Sequence, residues 1–117
     1  MPIANFVIEE VKTTRKGGQM IRCNFDGDST YAAGGTPDFN AVLQAAVKAA
    51  AAAATDKNVR SVEEVECLAV VPQNCGTLVP SYDFAADKLF VYDNATDAEN
   101  AVADISGVKF NCLCICQ

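Results

Sequence analysis

The chain of 117 residues has no histidine and no tryptophan. Without histidine there is no ordinary general base near neutral pH, no imidazole ligand for a transition metal, and no Ser-His or Cys-His pair. Positive charge is also scarce. Nine Lys and Arg stand against fifteen Asp and Glu, for a net charge of -6. Such a chain repels a phosphate backbone unless basic residues cluster, and Arg15 with Lys16 beside Gly17-Gly18 reads as a solvated hairpin tip, so nucleic-acid binding is not expected. Long apolar runs are missing too. The longest, Ala49 to Ala54, is weakly hydrophobic and too short to span a bilayer. Glu9 and Glu10 interrupt the apolar stretch near the start, so no secretory leader is expected, and the reading is a protein made in a cytoplasm, where thiols stay reduced.

What the chain does have is apolar bulk. Half of its residues are hydrophobic, enough for one core at this length, and the whole of 1–117 reads as a single domain. Residues 3 to 14 alternate as a strand, Lys16-Gly17-Gly18-Gln19 is a hairpin turn signal, and Gln19 to Phe25 is the returning strand. The following FDGDSTYAAGGTPD reads as a loop. Residues 38 to 54 form the one clear helix, with Phe39, Val42, Leu43, Ala46 and Val47 on one face. Thr36 is the expected N-cap, Pro37 suits the first helical position, and Asp38 complements the helix dipole. Strands are expected again over Asn58 to Val71, Thr77 to Tyr82, Lys88 to Tyr92 and Val108 to Gln117. The turn Pro72 to Gly76 and the polar segments Asp83 to Asp87 and Asp93 to Glu99 separate them. Short, closely spaced strands of this kind predict a mainly β fold, an antiparallel β-sandwich or jelly roll with one inserted helix.

The C-terminal NCLCICQ places Cys112, Cys114 and Cys116 at alternate positions. In a strand these share one face with Val108 and Phe110, about 6.6 Å apart in succession, which is poor for disulfides between them. Zinc sites favour paired spacings whose turns bring sulfurs together, and C-x-C-x-C on a straight strand does not do so. Cys23, Cys67 and Cys75 lack paired spacing. The cysteines read as buried free thiols, with no metal or cofactor asked for.

Other chemistry is thin. Asp26-Gly27-Asp28-Ser29-Thr30 opens like a calcium loop, but Tyr31 stands where its glycine belongs and Pro37 where its glutamate belongs. Asp93 to Asp97 is a weaker case. Gly34-Gly35 before the helix could cradle an anion, yet no lysine accompanies it and Asp38 opposes one. Asp83 with Asp87 could be imagined as an acid–base pair, but nothing in the turn fixes their separation. No enzyme is expected.

Three stretches taken in order carry a resemblance. They are Asn24-Phe25-Asp26 with Tyr31-Ala32-Ala33-Gly34-Gly35; Val79-Pro80-Ser81-Tyr82-Asp83 running to Asp87-Lys88-Leu89-Phe90-Val91-Tyr92; and Glu99 with Asp104-Ile105-Ser106-Gly107-Val108 and Phe110. Together they resemble small structural proteins of tailed bacteriophages, in particular head decoration (cement) proteins. The alanine-rich helix departs from that pattern. The resemblance implies a virion protein on the outer capsid surface, synthesised in the host cytoplasm, binding the major capsid protein and forming a dimer or trimer. A neck, tail or fibre-associated module is the alternative. A carbohydrate-binding sandwich is a further one, disfavoured by the absence of Trp and by having only three Tyr. Bare alanine suits close approach by another chain, so Ala50 and Ala53 with Tyr31, Gly34 and Gly35 are the candidate oligomer or capsid contacts.

Overall fold

The computed structural model describes residues 3–13, 18–53 and 64–116. In chain order these form β1 (Ala4–Thr13), β2 (Gln19–Asp26), α1 (Phe39–Ala53), β3 (Val65–Asn74), β4 (Leu78–Asp83), β5 (Lys88–Asp93), β6 (Ala98–Glu99) and β7 (Lys109–Cys116). One sheet has the order β1-β2-β7-β3 and a second the order β4-β5-β6, with every pairing antiparallel. Among the described residues the fold is therefore mainly β, two antiparallel sheets with a single helix, arranged like a sandwich.

Strand alternation organises the core. Along β7, Phe110, Cys112, Cys114 and Cys116 are buried, while Lys109, Asn111, Leu113 and Ile115 are half-buried on the other face. Ile21, Cys23 and Phe25 of β2 face the same interior, as do Val65, Cys67 and Val70 of β3. Helix α1 closes over this face with Phe39, Leu43 and Val47, all fully buried at spacings of four residues. Phe39 links the layers. Its ring centroid lies 6.0 Å from Phe25 of the first sheet and 5.8 Å from Tyr82 of the second, within the usual range of aromatic pairs.

Several boundaries differ from expectation. The strand expected over Asn58 to Val71 begins at Val65; 58–63 lie outside the described residues, as do Arg15, Lys16 and Gly17 of the hairpin tip and Ala54 at the helix end. β3 also runs through Pro72 to Asn74, where a turn was expected. Proline is tolerated there because β3 is an edge strand, and a register shift between Pro72 and Asn74 absorbs the irregularity. β6 lies within the segment expected to be turn. Its two residues pair with Tyr92 and Asp93, too short a ladder to leave an alternating pattern.

Helix entry is corrected as well. Thr36 does not cap α1: its N–H and C=O both pair with Leu89, at 2.8 and 3.0 Å. Pro37 precedes the helix, and Asp38, at φ 51°, supplies the carbonyl that accepts from Ala41 and Val42. The side-chain cap comes from Asp87 on the β4–β5 turn, which accepts the Asn40 N–H at 3.0 Å. A carboxylate there both satisfies an orphan donor and complements the positive end of the helix.

Candidate contact surface

The loop between β2 and α1 is tied down by its own motif residues. Tyr31 is buried, and its hydroxyl donates to Glu99 Oε2 at 2.6 Å while accepting the buried Val91 N–H at 3.0 Å. Glu99 also accepts the Gly34 N–H through both carboxylate oxygens, at 3.1 and 3.0 Å. These donors, the Tyr31 hydroxyl first, hold the Glu99 carboxyl below its ordinary pKa. Burial, reinforced by the bond to Glu99, pushes the Tyr31 phenol upward, so it stays protonated and donating. The Tyr31 N–H reaches the Ala103 carbonyl at 2.7 Å, and the Ile105 N–H reaches Asp28 at 2.9 Å. One frame thus joins the β2–α1 loop, β5, β6 and the β6–β7 loop.

The five candidate contact residues therefore fall into different settings. Tyr31 lies in the core, so its ring is not part of the surface. Gly34 is exposed, and Gly35 is half-buried with φ 84°; a Cβ there would come within 2.9 Å of the Leu89 carbonyl and 3.1 Å of the Phe90 ring. The glycine permits both the backbone angle and the close approach. Ala50 is half-buried, beside an exposed helix surface made of Ala41, Ala45, Lys48 and Ala49. Ala53 ends the helix, and its side chain is outside the described set.

Two surface features add to these. Phe90 and Tyr92, two residues apart on β5, stack at 6.1 Å with planes 26° apart, and Tyr92 is exposed. Gly35 sits directly against Phe90 of this pair. On the outward side of the first sheet, Val7 and Val71 are about half exposed, at 50 and 51%. An open groove of about 110 Å³ there is lined by Glu10, Lys12, Met20, Arg22 and Leu113. Its charges are matched among themselves, Lys12 with Glu10 at 3.3 Å and Arg22 with Glu9 and Glu10.

The acidic turns are occupied by local bonds. Asp28 accepts from the Thr30 N–H and hydroxyl, Asp93 from Ala95, Asp104 from Ser106, and Asp83 from Ala86. These are the side-chain-to-backbone turns that Asp favours. Asp87, imagined as half of an acid–base pair, instead receives the Tyr82 hydroxyl at 2.6 Å and the helix N-terminus. Burial and that carboxylate push the Tyr82 phenol up. The bond from Asp87 to Asn40 spans 47 positions in sequence, and no local signal announces it. Among the described residues no group of three or more His, Cys, Asp or Glu is placed to hold a metal ion, and no helix is long and apolar enough to cross a membrane. In comparison with known proteins, no family model, no curated sequence and no solved structure matches this chain.

Proposed function

We propose that this chain is a capsid decoration protein of a tailed bacteriophage, which binds the assembled major capsid protein on the outside of the shell. Its work is mechanical rather than catalytic. Surface buried across neighbouring capsid subunits stabilises the assembled form, because the disassembled form lacks that site. A self-associated dimer or trimer engages several subunits at once and gains through effective concentration.

The observation that carries the reading is the joining of the motif stretches. Tyr31 and Gly34 of the first, Val91 of the second and Glu99 of the third meet in a single hydrogen-bonded cluster. The ordered motifs that resemble decoration proteins therefore act as one scaffold rather than as unrelated turns. That scaffold carries an exposed Gly34, Gly35 against Phe90, and the Phe90–Tyr92 stack, and α1 carries its alanine surface.

Undecorated capsids mixed with purified protein and imaged after sedimentation test the proposal. Regular density on the outer surface, with greater resistance of the shell to heat, is the expected result. Protein that stays in the supernatant at all concentrations refutes it. The variant Ala50→Glu with Ala53→Glu tests the helix as the contact: it should fold normally yet lose self-association or capsid occupancy. Wild-type occupancy, or outright unfolding, removes the helix from the interface.

A further inference from the structure

Five of the six cysteines line the inward face of the first sheet: Cys23 on β2, Cys67 on β3, and Cys112, Cys114 and Cys116 on β7. None of the five is more than 1% exposed. Their thiols are not equivalent. Cys23 donates to the Cys112 carbonyl at 3.6 Å, Cys114 to the Ile21 carbonyl at 3.7 Å, and the sixth, Cys75, to the Lys109 carbonyl at 3.1 Å. Cys67 and Cys112 instead face each other sulfur to sulfur, 3.8 Å apart on adjacent strands.

We propose that Cys67 and Cys112 are a redox-responsive pair, reduced as the chain folds and closing to an interstrand disulfide when a small-molecule disulfide oxidises them. A disulfide needs its sulfurs at about 2.05 Å. Because Cys67 pairs in register with Cys114 and Cys112 with Val70, the two thiols meet diagonally across the ladder. Closing the bond takes a local shift of β3 along β7 as well as side-chain rotation.

Access comes from the fold. β3 is the edge strand of its sheet, its ladder to β7 is irregular between Cys67 and Ala69, and the Cys67 N–H is held from the helix side by Asn40 Oδ1 at 2.7 Å. Edge strands with broken ladders open locally at less cost than the centre of a sheet. Cys67 is thus the thiol that meets the oxidant, while Cys112 stays between β2 and β3. Thiol hydrogen bonds with Cys114, Cys23 and Cys67, together with burial, push the Cys112 thiol up.

In that first step the deprotonated Cys67 sulfur attacks one sulfur of the small disulfide. A mixed disulfide forms and one small thiolate leaves, taking up a proton. Cys112 then loses its proton and attacks the Cys67 sulfur, expelling the second small thiol. Two protein thiols and one small disulfide become one protein disulfide and two small thiols, so atoms and electrons balance. The new bond closes a loop of 45 residues in sequence separation and constrains the unfolded chain.

The test incubates the reduced full-length chain with glutathione disulfide, alkylates remaining thiols in denaturant, and maps linked peptides by fragmentation. The expected product has lost two hydrogens and two titratable thiols. It carries a Cys67–Cys112 link and melts about 10 °C higher until dithiothreitol reverses the change. Cys67→Ala should lose both link and shift, whereas Cys75→Ala should keep both. Six thiols persisting after incubation, a stable glutathione adduct without a link, or a link made mainly through Cys23 or Cys114 overturns the proposal. Should Cys67→Ala fail to fold, the linked peptide from the unaltered chain decides the matter alone.

Discussion

Replacing Tyr31 by phenylalanine removes one oxygen and strands two partners. The Val91 N–H, buried in the central strand of the second sheet, loses its acceptor at 3.0 Å, and Glu99 loses its donor at 2.6 Å. The ring itself keeps its place in the core, so the transfer of apolar area is nearly unchanged. An unsatisfied buried amide costs about 1–3 kcal/mol, and the half-buried Glu99 can recover part of its loss from water. A net loss of about 2 kcal/mol is expected, or roughly 8 °C in Tm at this size. The pH dependence gives a second, independent readout. The carboxyl of Glu99 is held below the ordinary carboxylate range in the folded state, so its contribution is fully present above that range. It is lost as pH falls through the lower folded pKa. Tyr31→Phe removes the largest cause of the depression, so the variant should lose less stability than the wild type on acidification below about pH 4.5. Urea unfolding at pH 7 and pH 3.5 measures both effects. A loss below about 0.5 kcal/mol at pH 7, or an unchanged difference between the two pH values, refutes the frame as described.

Further outcomes follow from single contacts. A Cβ at Gly27 would lie 2.2 Å from the Ile105 carbonyl, so Gly27→Ala should cost more than about 2 kcal/mol, while Gly107→Ala, with nothing within 4 Å, should cost far less; paired urea melts compare them. Asp87→Ala removes the cap on Asn40 and the partner of Tyr82, and should cost about 1–2 kcal/mol with weakened helical circular dichroism; an unchanged melt excludes the cap. Thiol titration of the reduced protein should give a low count when native and all six in denaturant; rapid native reaction of the β7 cysteines would show that their face is open.

The longer strands, the helix and the inward cysteine row were legible because each is written in local periodicity. Alternation along Phe110 to Cys116 and the four-residue spacing of Phe39, Leu43 and Val47 depend only on backbone geometry, which the residue order expresses directly. Bonds that join distant segments have no such signature. That Asp87 rather than Thr36 caps the helix, that Tyr31 turns inward to Glu99 and Val91, and that Gly35 rests against Phe90 all depend on where separate elements arrive. The same holds for the cysteines. Spacing along β7 speaks only to neighbours in one strand, whereas the 3.8 Å contact between Cys67 and Cys112 arises because β3 lies beside β7, diagonal to the register pair Cys67–Cys114. Periodicity within a segment is a property of the chain, whereas register between segments comes from packing the whole domain, and it is register that placed these side chains together.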